Sequence, residues 1–325
     1  MRIHVQNDPD DPLYEITPAQ WRDAASRAGG IGEGHALSFG ETDAALADGL
    51  GEAEALVTAV SSIAGGLPAA PRLRLIFCMS AGLDRLAPFD WLPAGATLLN
   101  NSGAHAAKAG EYAVMALLML AGRLPVHITA QRERRWDKVL GGTVRGRRVT
   151  VVGLGSLGGA AAEQAARFGM DVTGVRTRAE PHPACARVVA TDALDSVLPQ
   201  TEFLVLACPL TPATRNLLDR RRLSLLAEGA GVVNIGRGPL LDEDAICDLL
   251  EAGRLGGAVL DVFAEEPVPQ GHRLWTTRNL VMTPHVSTDD PATYNPLSLD
   301  IFFANLRAWA AGEPMPNAVD PARGY

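Results

Sequence analysis

Short apolar runs recur along this chain, each closed by glycine, proline or polar residues and most followed by a stretch with helical spacing. Residues 2–6 (RIHVQ), 36–39, 55–60 and 73–79 (LRLIFCM) read as strands. Thr17 and Pro18 set an N-cap and an N1 proline before a helix through 21–28, and 41–48 makes a second helix. This alternation predicts a small doubly wound α/β unit. The last of these strands empties into Ser80, Ala81, Gly82, Leu83 and Asp84, small residues suited to a ligand-facing loop, with Asp84 expected to cap a helix. Residues 97–101 add a strand. Residues 102–122 then form one long helix, apolar almost all round over 112–120, the pattern of a helix buried in a core or between subunits.

The pattern changes near Asn100, where we place the first domain boundary. Residues 132–148 carry seven Arg or Lys among seventeen and are expected to be a solvated arm crossing between domains. Beyond them come further apolar runs at 149–152, 170–175, 203–207, 231–235, 257–262 and 280–282. Near-continuous apolar runs of this kind suit parallel strands covered on both faces.

The run at 149–152 leads into Gly153, Gly155 and Gly158 in GxGxxG spacing, and an alanine-rich helix is expected over 160–168. The first glycine permits a tight turn, the second admits a diphosphate, and the third lets helix and strand pack. Free N–H groups at the helix start, with Ser156 and Leu157, then face the phosphates. Strand, glycine turn, helix and second strand together indicate a dinucleotide site. Where NAD enzymes usually place a carboxylate on the ribose, this chain has Arg176, Thr177 and Arg178. Guanidinium groups grip a 2′-phosphate, so NADP is expected as the preferred cofactor. The alternative, Arg176 stacked on adenine or facing solvent, leaves NAD tolerated.

Composition narrows the classes. The 325 residues suffice for two domains, and 47% hydrophobic with 20% charged residues suits a soluble globular protein. A net charge of −8 argues against a nucleic-acid or anionic-membrane surface. The N-terminus has no apolar signal region, and Cys78, Cys185, Cys208 and Cys247 lack CxxC spacing. A cytoplasmic protein with reduced thiols and no metal site is expected.

Three later strands end in loops carrying Arg237, the acidic pair Glu265 and Glu266 before Pro267, and His285. The C-terminal edge of a parallel sheet is where such groups converge. A histidine beside a carboxylate is a proton donor near neutral pH, and an arginine can hold a substrate carboxylate and polarise a neighbouring carbonyl. With a nicotinamide at the same edge, these parts suit reduction of a 2-keto acid.

The motifs SAGLD (80–84), GLGSLG (153–158), CPLT (208–211), NIGRG (234–238), LDVFAEEP (260–267) and TPH (283–285) occur in this order. In them the chain resembles the D-isomer-specific 2-hydroxyacid dehydrogenases over essentially its whole length. The resemblance implies a Rossmann cofactor domain over 101–286 and a flavodoxin-like substrate domain built from 1–100 and 287–325, with the active site in the cleft between them. It implies catalytic roles for Arg237, Glu266 and His285: Arg237 binds and polarises the keto acid, His285 is the acid/base, and Glu266, directly before the proline, orients it. Ala81 and Gly82 would lend N–H groups to the substrate carboxylate. Asp261 would meet the nicotinamide carboxamide, with Cys208, Pro209, Thr214 and Ile235 also along the cofactor. The tail and the arginines after the second strand resemble the NADPH-preferring glyoxylate/hydroxypyruvate reductases, and a homodimer through the cofactor domain is implied. The rival readings are a non-catalytic NAD(H)-sensing protein of the corepressor type and a dehydrogenase for a bulkier keto acid. Ser287 stands where Gly or Ala is common in the family.

Overall fold

The computed structural model describes residues 1–324, which divide into two units, Met1–Ala104 with the segment from Asp290 onward, and His105–Asp289. The first unit contains, in chain order, β1 (Arg2–Gln6), α1 (Pro18–Ala28), β2 (Ala36–Gly40), α2 (Asp43–Leu50), β3 (Ala55–Thr58), β4 (Leu75–Cys78) and β5 (Thr97–Leu99). Its strands pair in parallel in the order β2-β1-β3-β4-β5, the flavodoxin-like order. Thr17 caps α1 as expected, in a reciprocal box with Gln20. Asp84 does not cap a helix. It opens a single 3-10 turn, Asp84–Leu86, preceded by Leu83, because Pro88 follows too soon for a longer helix.

The second unit opens with α3 (Ala106–Ala121) and α4 (Leu124–Arg132). It continues with β6 (Arg148–Val152), α5 (Ser156–Arg167), β7 (Asp171–Arg176), β8 (Arg187–Ala190), α6 (Leu194–Val197) and β9 (Phe203–Leu206). It ends with α7 (Arg220–Leu225), β10 (Ala230–Asn234), α8 (Glu243–Glu251), β11 (Leu255–Leu260) and β12 (Leu280–Met282). The parallel order β12-β11-β10-β9-β6-β7-β8 reverses direction of growth between β6 and β9. In open α/β sheets such a switch point is where ligands bind, at the C-terminal strand ends, and the glycine turn follows β6 there. Helices α3 and α5 approach closely because Gly110 meets the backbone of Ala160; a Cβ there would lie 3.1 Å from its carbonyl oxygen.

Several expectations change. Residues 102–105 form turns, not helix, and α3 is buried on one face only, leaving Met115 and Leu118 about 40% exposed. Helix α5 begins at Ser156 instead of 160, so the glycine turn leads straight into it. The basic arm does not cross between units. Its first residue ends α4, and its last residues, Arg147 and Arg148, pair with Glu202 within the same unit. The crossings fall at 104–105 and 289–290.

A last helix, α9 (Tyr294–Ala311), returns to the first unit. Its Phe302 and Phe303 rings lie 5.6 and 5.2 Å from the ring of Trp21 on α1, and Phe302 lies 5.7 Å from Phe77 on β4. Pairs at these separations add to the stabilisation from burial alone. One face of the five-stranded sheet is thus closed by residues far apart in sequence.

Candidate active site

The glycine turn is built by exclusion. Gly153 has φ +91 and abuts Cys208, whose Cα lies 2.6 Å from where a Cβ would sit. A Cβ on Gly158 would lie 1.7 Å from the Gly153 carbonyl oxygen. Gly155 is different, for nothing lies within 4 Å of its Cβ position. The first and third glycines are therefore demanded by the fold, and the second faces open space at the start of α5. Beside it, the buried Ser156 Oγ has no hydrogen-bond partner within the described residues. An orphaned donor, open space at Gly155 and a helix N-terminus fit a diphosphate group. Leu157 is half-buried in the same first turn. Arg176 ends β7, and Arg178 lies two residues beyond it.

Cys208 and Ile235 are buried at the ends of β9 and β10, and burial pushes the Cys208 thiol up to about 12. Thr214 staples the turn after Pro209. Its hydroxyl donates to the Pro209 carbonyl at 2.7 Å and accepts from the Thr211 N–H at 2.8 Å. In the first unit, Ala81 and Gly82 are half-buried in the loop after β4, where the Asn100 amide donates to the Ala81 carbonyl at 3.3 Å.

Arg237, Glu266 and His285 all follow strand ends of the second unit. His285 Nδ1 donates to Glu266 Oε2 at 2.8 Å, and Glu266 Oε1 accepts from the Phe263 N–H at 2.8 Å. That hydrogen bond raises the His285 pKa above the ordinary imidazole value. Burial opposes the rise, the Glu266 charge adds to it, and the Arg237 charge works against it. Burial alone would raise Glu266, but the bonds from His285 and the Phe263 N–H, with the charges of His285 and Arg237, hold it below its usual range. Arg237 is thus near enough for both partners to feel its charge. Its own turn is fixed by the buried Asn234, which donates to the Arg237 carbonyl at 2.9 Å and accepts from the Gly236 N–H at 3.1 Å.

His285 stands in the left-handed region, φ +55, with its N–H donating to the carbonyls of Asp261 and Thr283. A non-glycine residue holds that conformation only where its surroundings fix it. Here the fully buried Asp261 does so. Its carboxylate accepts from Thr283 Oγ1 at 2.5 Å and from the N–H groups of Val286 and Ser287 at 2.9 Å each. Thr283 is oriented in turn by Tyr112 on α3, whose hydroxyl donates to it at 2.5 Å and is pushed up to about 12 chiefly by burial. Sequence reasoning named Asp261 for another task and missed Tyr112, which sits in a helix that reads as uniformly apolar.

The sequence model described as "D-isomer specific 2-hydroxyacid dehydrogenase, NAD binding domain" matches residues 114–287. The glyoxylate/hydroxypyruvate reductase HPR3 of Arabidopsis thaliana is 33% identical over 250 residues, covering 75% of this chain and 76% of that protein. A human glyoxylate reductase/hydroxypyruvate reductase is 33% identical over 258 residues, 77% of each. Among solved structures, a D-isomer-specific 2-hydroxyacid dehydrogenase from Xanthobacter autotrophicus Py2, in complex with NADPH and MES, superposes with a TM-score of 0.83 at 30% identity and covers 99% of both chains. The family model covers more than half of the chain, and by it and these relatives the chain belongs to the D-isomer-specific 2-hydroxyacid dehydrogenase family.

Proposed function

We propose that this protein reduces a small 2-keto acid of the glyoxylate or hydroxypyruvate type to the D-2-hydroxy acid, with NADPH preferred over NADH. The observation that carries the proposal is the 2.8 Å bond between His285 and Glu266, on a loop locked by Asp261. The two similar reductases and the NADPH-bound relative support the substrate class and the cofactor.

Gly153, Gly155, Ser156, Leu157 and Gly158 would hold the diphosphate, Arg176 and Arg178 the 2′-phosphate, and Asp261 would meet the carboxamide. Cys208, Pro209, Thr214 and Ile235 would lie along the cofactor. The nicotinamide supplies the hydride. The chain's own residues manage charge and the proton. Glu266 takes the Nδ1–H of His285, which leaves the proton on Nε2 directed away from it and available to the substrate oxygen. Arg237 holds the substrate carboxylate and lowers the cost of negative charge on the carbonyl. A homodimer through the cofactor unit is part of the proposal. Met115, Leu118, Trp136 and Leu140 are large apolar side chains exposed in that unit, with Trp136 fully so.

The test is a spectrophotometric screen of NADPH and NADH oxidation against glyoxylate, hydroxypyruvate, pyruvate and phenylpyruvate. Turnover of the first two at higher kcat/KM with NADPH is expected. Nucleotide binding without turnover of any of the four would sink the proposal.

A further inference from the structure

Arg176, the last residue of β7, and Arg178 just beyond it share one carboxylate. Arg176 Nη2 lies 3.4 Å from Glu180 Oε2, and Arg178 Nη1 lies 4.0 Å from Glu180 Oε1. The Glu180 N–H donates to the Arg178 carbonyl at 2.8 Å, which turns the chain back so that the carboxylate faces both guanidinium groups. The same loop lies on the nucleotide turn. His182 Nε2 is 3.3 Å from the Cβ position of Gly159 in the first turn of α5, and Cys185 Sγ is 3.0 Å from that of Gly174 on β7. Glu180 therefore sits in a loop folded against the start of the helix that would carry the diphosphate.

We propose that Glu180 sets the balance between the two nicotinamide nucleotides. This rests on the reading of the site as a nicotinamide dinucleotide site. The carboxylate occupies guanidinium donors that a 2′-phosphate needs, and it offers an acceptor to a ribose hydroxyl when that phosphate is missing. An exposed ion pair is weak, so a phosphate displaces it. The displaced carboxylate remains tethered nearby, however, and repels a group carrying nearly two negative charges. At a separation of roughly 5 Å in water, after screening, that repulsion corresponds to about fivefold in affinity. Glu180 thus moderates a preference that Arg176 and Arg178 create, and keeps NADH usable.

Glu180→Gln removes the charge and keeps both the length and an acceptor oxygen. Calorimetric titration of the full chain with NADPH and with NADH, in the absence of substrate, reads the effect. In the variant, Kd for NADPH is expected to fall about fivefold, with Kd for NADH unchanged or raised. In an Arg176→Gln background the same change should still tighten NADPH, because the repulsion acts directly between carboxylate and phosphate. An unchanged or weaker NADPH affinity in E180Q, or an equal gain for both nucleotides, overturns the role of Glu180. Failure of the unmodified chain to bind either nucleotide instead overturns the dinucleotide reading beneath it.

Discussion

Gly238 and Phe263 meet backbone to backbone: a Cβ on Gly238 would lie 1.8 Å from the Phe263 carbonyl carbon and 2.1 Å from its oxygen. The contact ties the turn carrying Arg237 to the loop whose Phe263 N–H holds Glu266. Gly238→Ala must therefore push the two loops apart, separating Arg237 from the His285–Glu266 pair. We expect kcat/KM for the keto acid to fall at least about tenfold, as positioning losses commonly do, while NADPH affinity stays within about twofold. Steady-state kinetics and a nucleotide titration check this, and unchanged kcat/KM would show that the loops are independent.

The His285–Glu266 bond sets a pH dependence whose sign is fixed. Reduction needs the protonated ring, so the rate holds at low pH and declines as pH rises through the raised His285 value. Glu266→Gln removes the charge that raises it, and the declining limb should move to lower pH. His285→Ala should lower kcat about 10²–10⁴-fold with nucleotide binding intact. Linkage acts on stability in the same sense. The His285 contribution is present below the ordinary imidazole pKa and lost as pH rises through the folded value. The Glu266 contribution is present above the ordinary carboxylate pKa and lost as pH falls through its depressed value. Side-chain exposures of 42% and 35% keep both contributions small. A pH–rate profile with coincident limbs in the native and Glu266→Gln proteins would remove the role given to Glu266.

The two helix-side glycines of the turn should respond in opposite ways to alanine. Gly155→Ala meets open space and should leave the melting temperature nearly unchanged while weakening nucleotide binding tenfold or more, on the order expected from blocking a backbone approach. Gly158→Ala, whose Cβ would collide with the Gly153 carbonyl, should destabilise the whole cofactor unit by a few kcal/mol, about the scale of overpacking. Thermal unfolding and nucleotide titration of both variants separate the cases. Equal loss of stability in both would mean that Gly155 is as constrained as its neighbour.

Much of this site was legible in the sequence, and the limits of that reading are physical. Gly153, Gly155 and Gly158 announce themselves because spacing, strand and helix must agree locally. Arg237, Glu266 and His285 stand at strand ends, which period-two and apolar-run patterns locate to within a residue or two. The whole of α4 was harder, since Pro125 and a left-handed Arg123 interrupt the pattern without ending the helical stretch. Strand β8 (RVVA) is too short to register against its surroundings. Tyr112 and the anchoring use of Asp261 depend on which segments meet in space, and no local signal carries that.

Asp261 offers a fourth test. Asp261→Asn keeps the shape but turns one acceptor into a donor facing the loop's own donors, leaving a buried N–H or amide unsatisfied. A cost of about 1–3 kcal/mol in unfolding free energy is expected, with kcat reduced because His285 no longer holds its left-handed geometry. Urea unfolding and kinetics measured together check this, and a stable variant with full activity would show that the loop holds itself.

The return of α9 to the first unit has a consequence during synthesis. Phe302 and Phe303, which help to cover one face of the five-stranded sheet, leave the ribosome only after the entire nucleotide-binding unit. The amino-terminal strands must therefore wait with that face only partly covered, by α1, and nascent chains stalled before Tyr294 would present the remainder to chaperones.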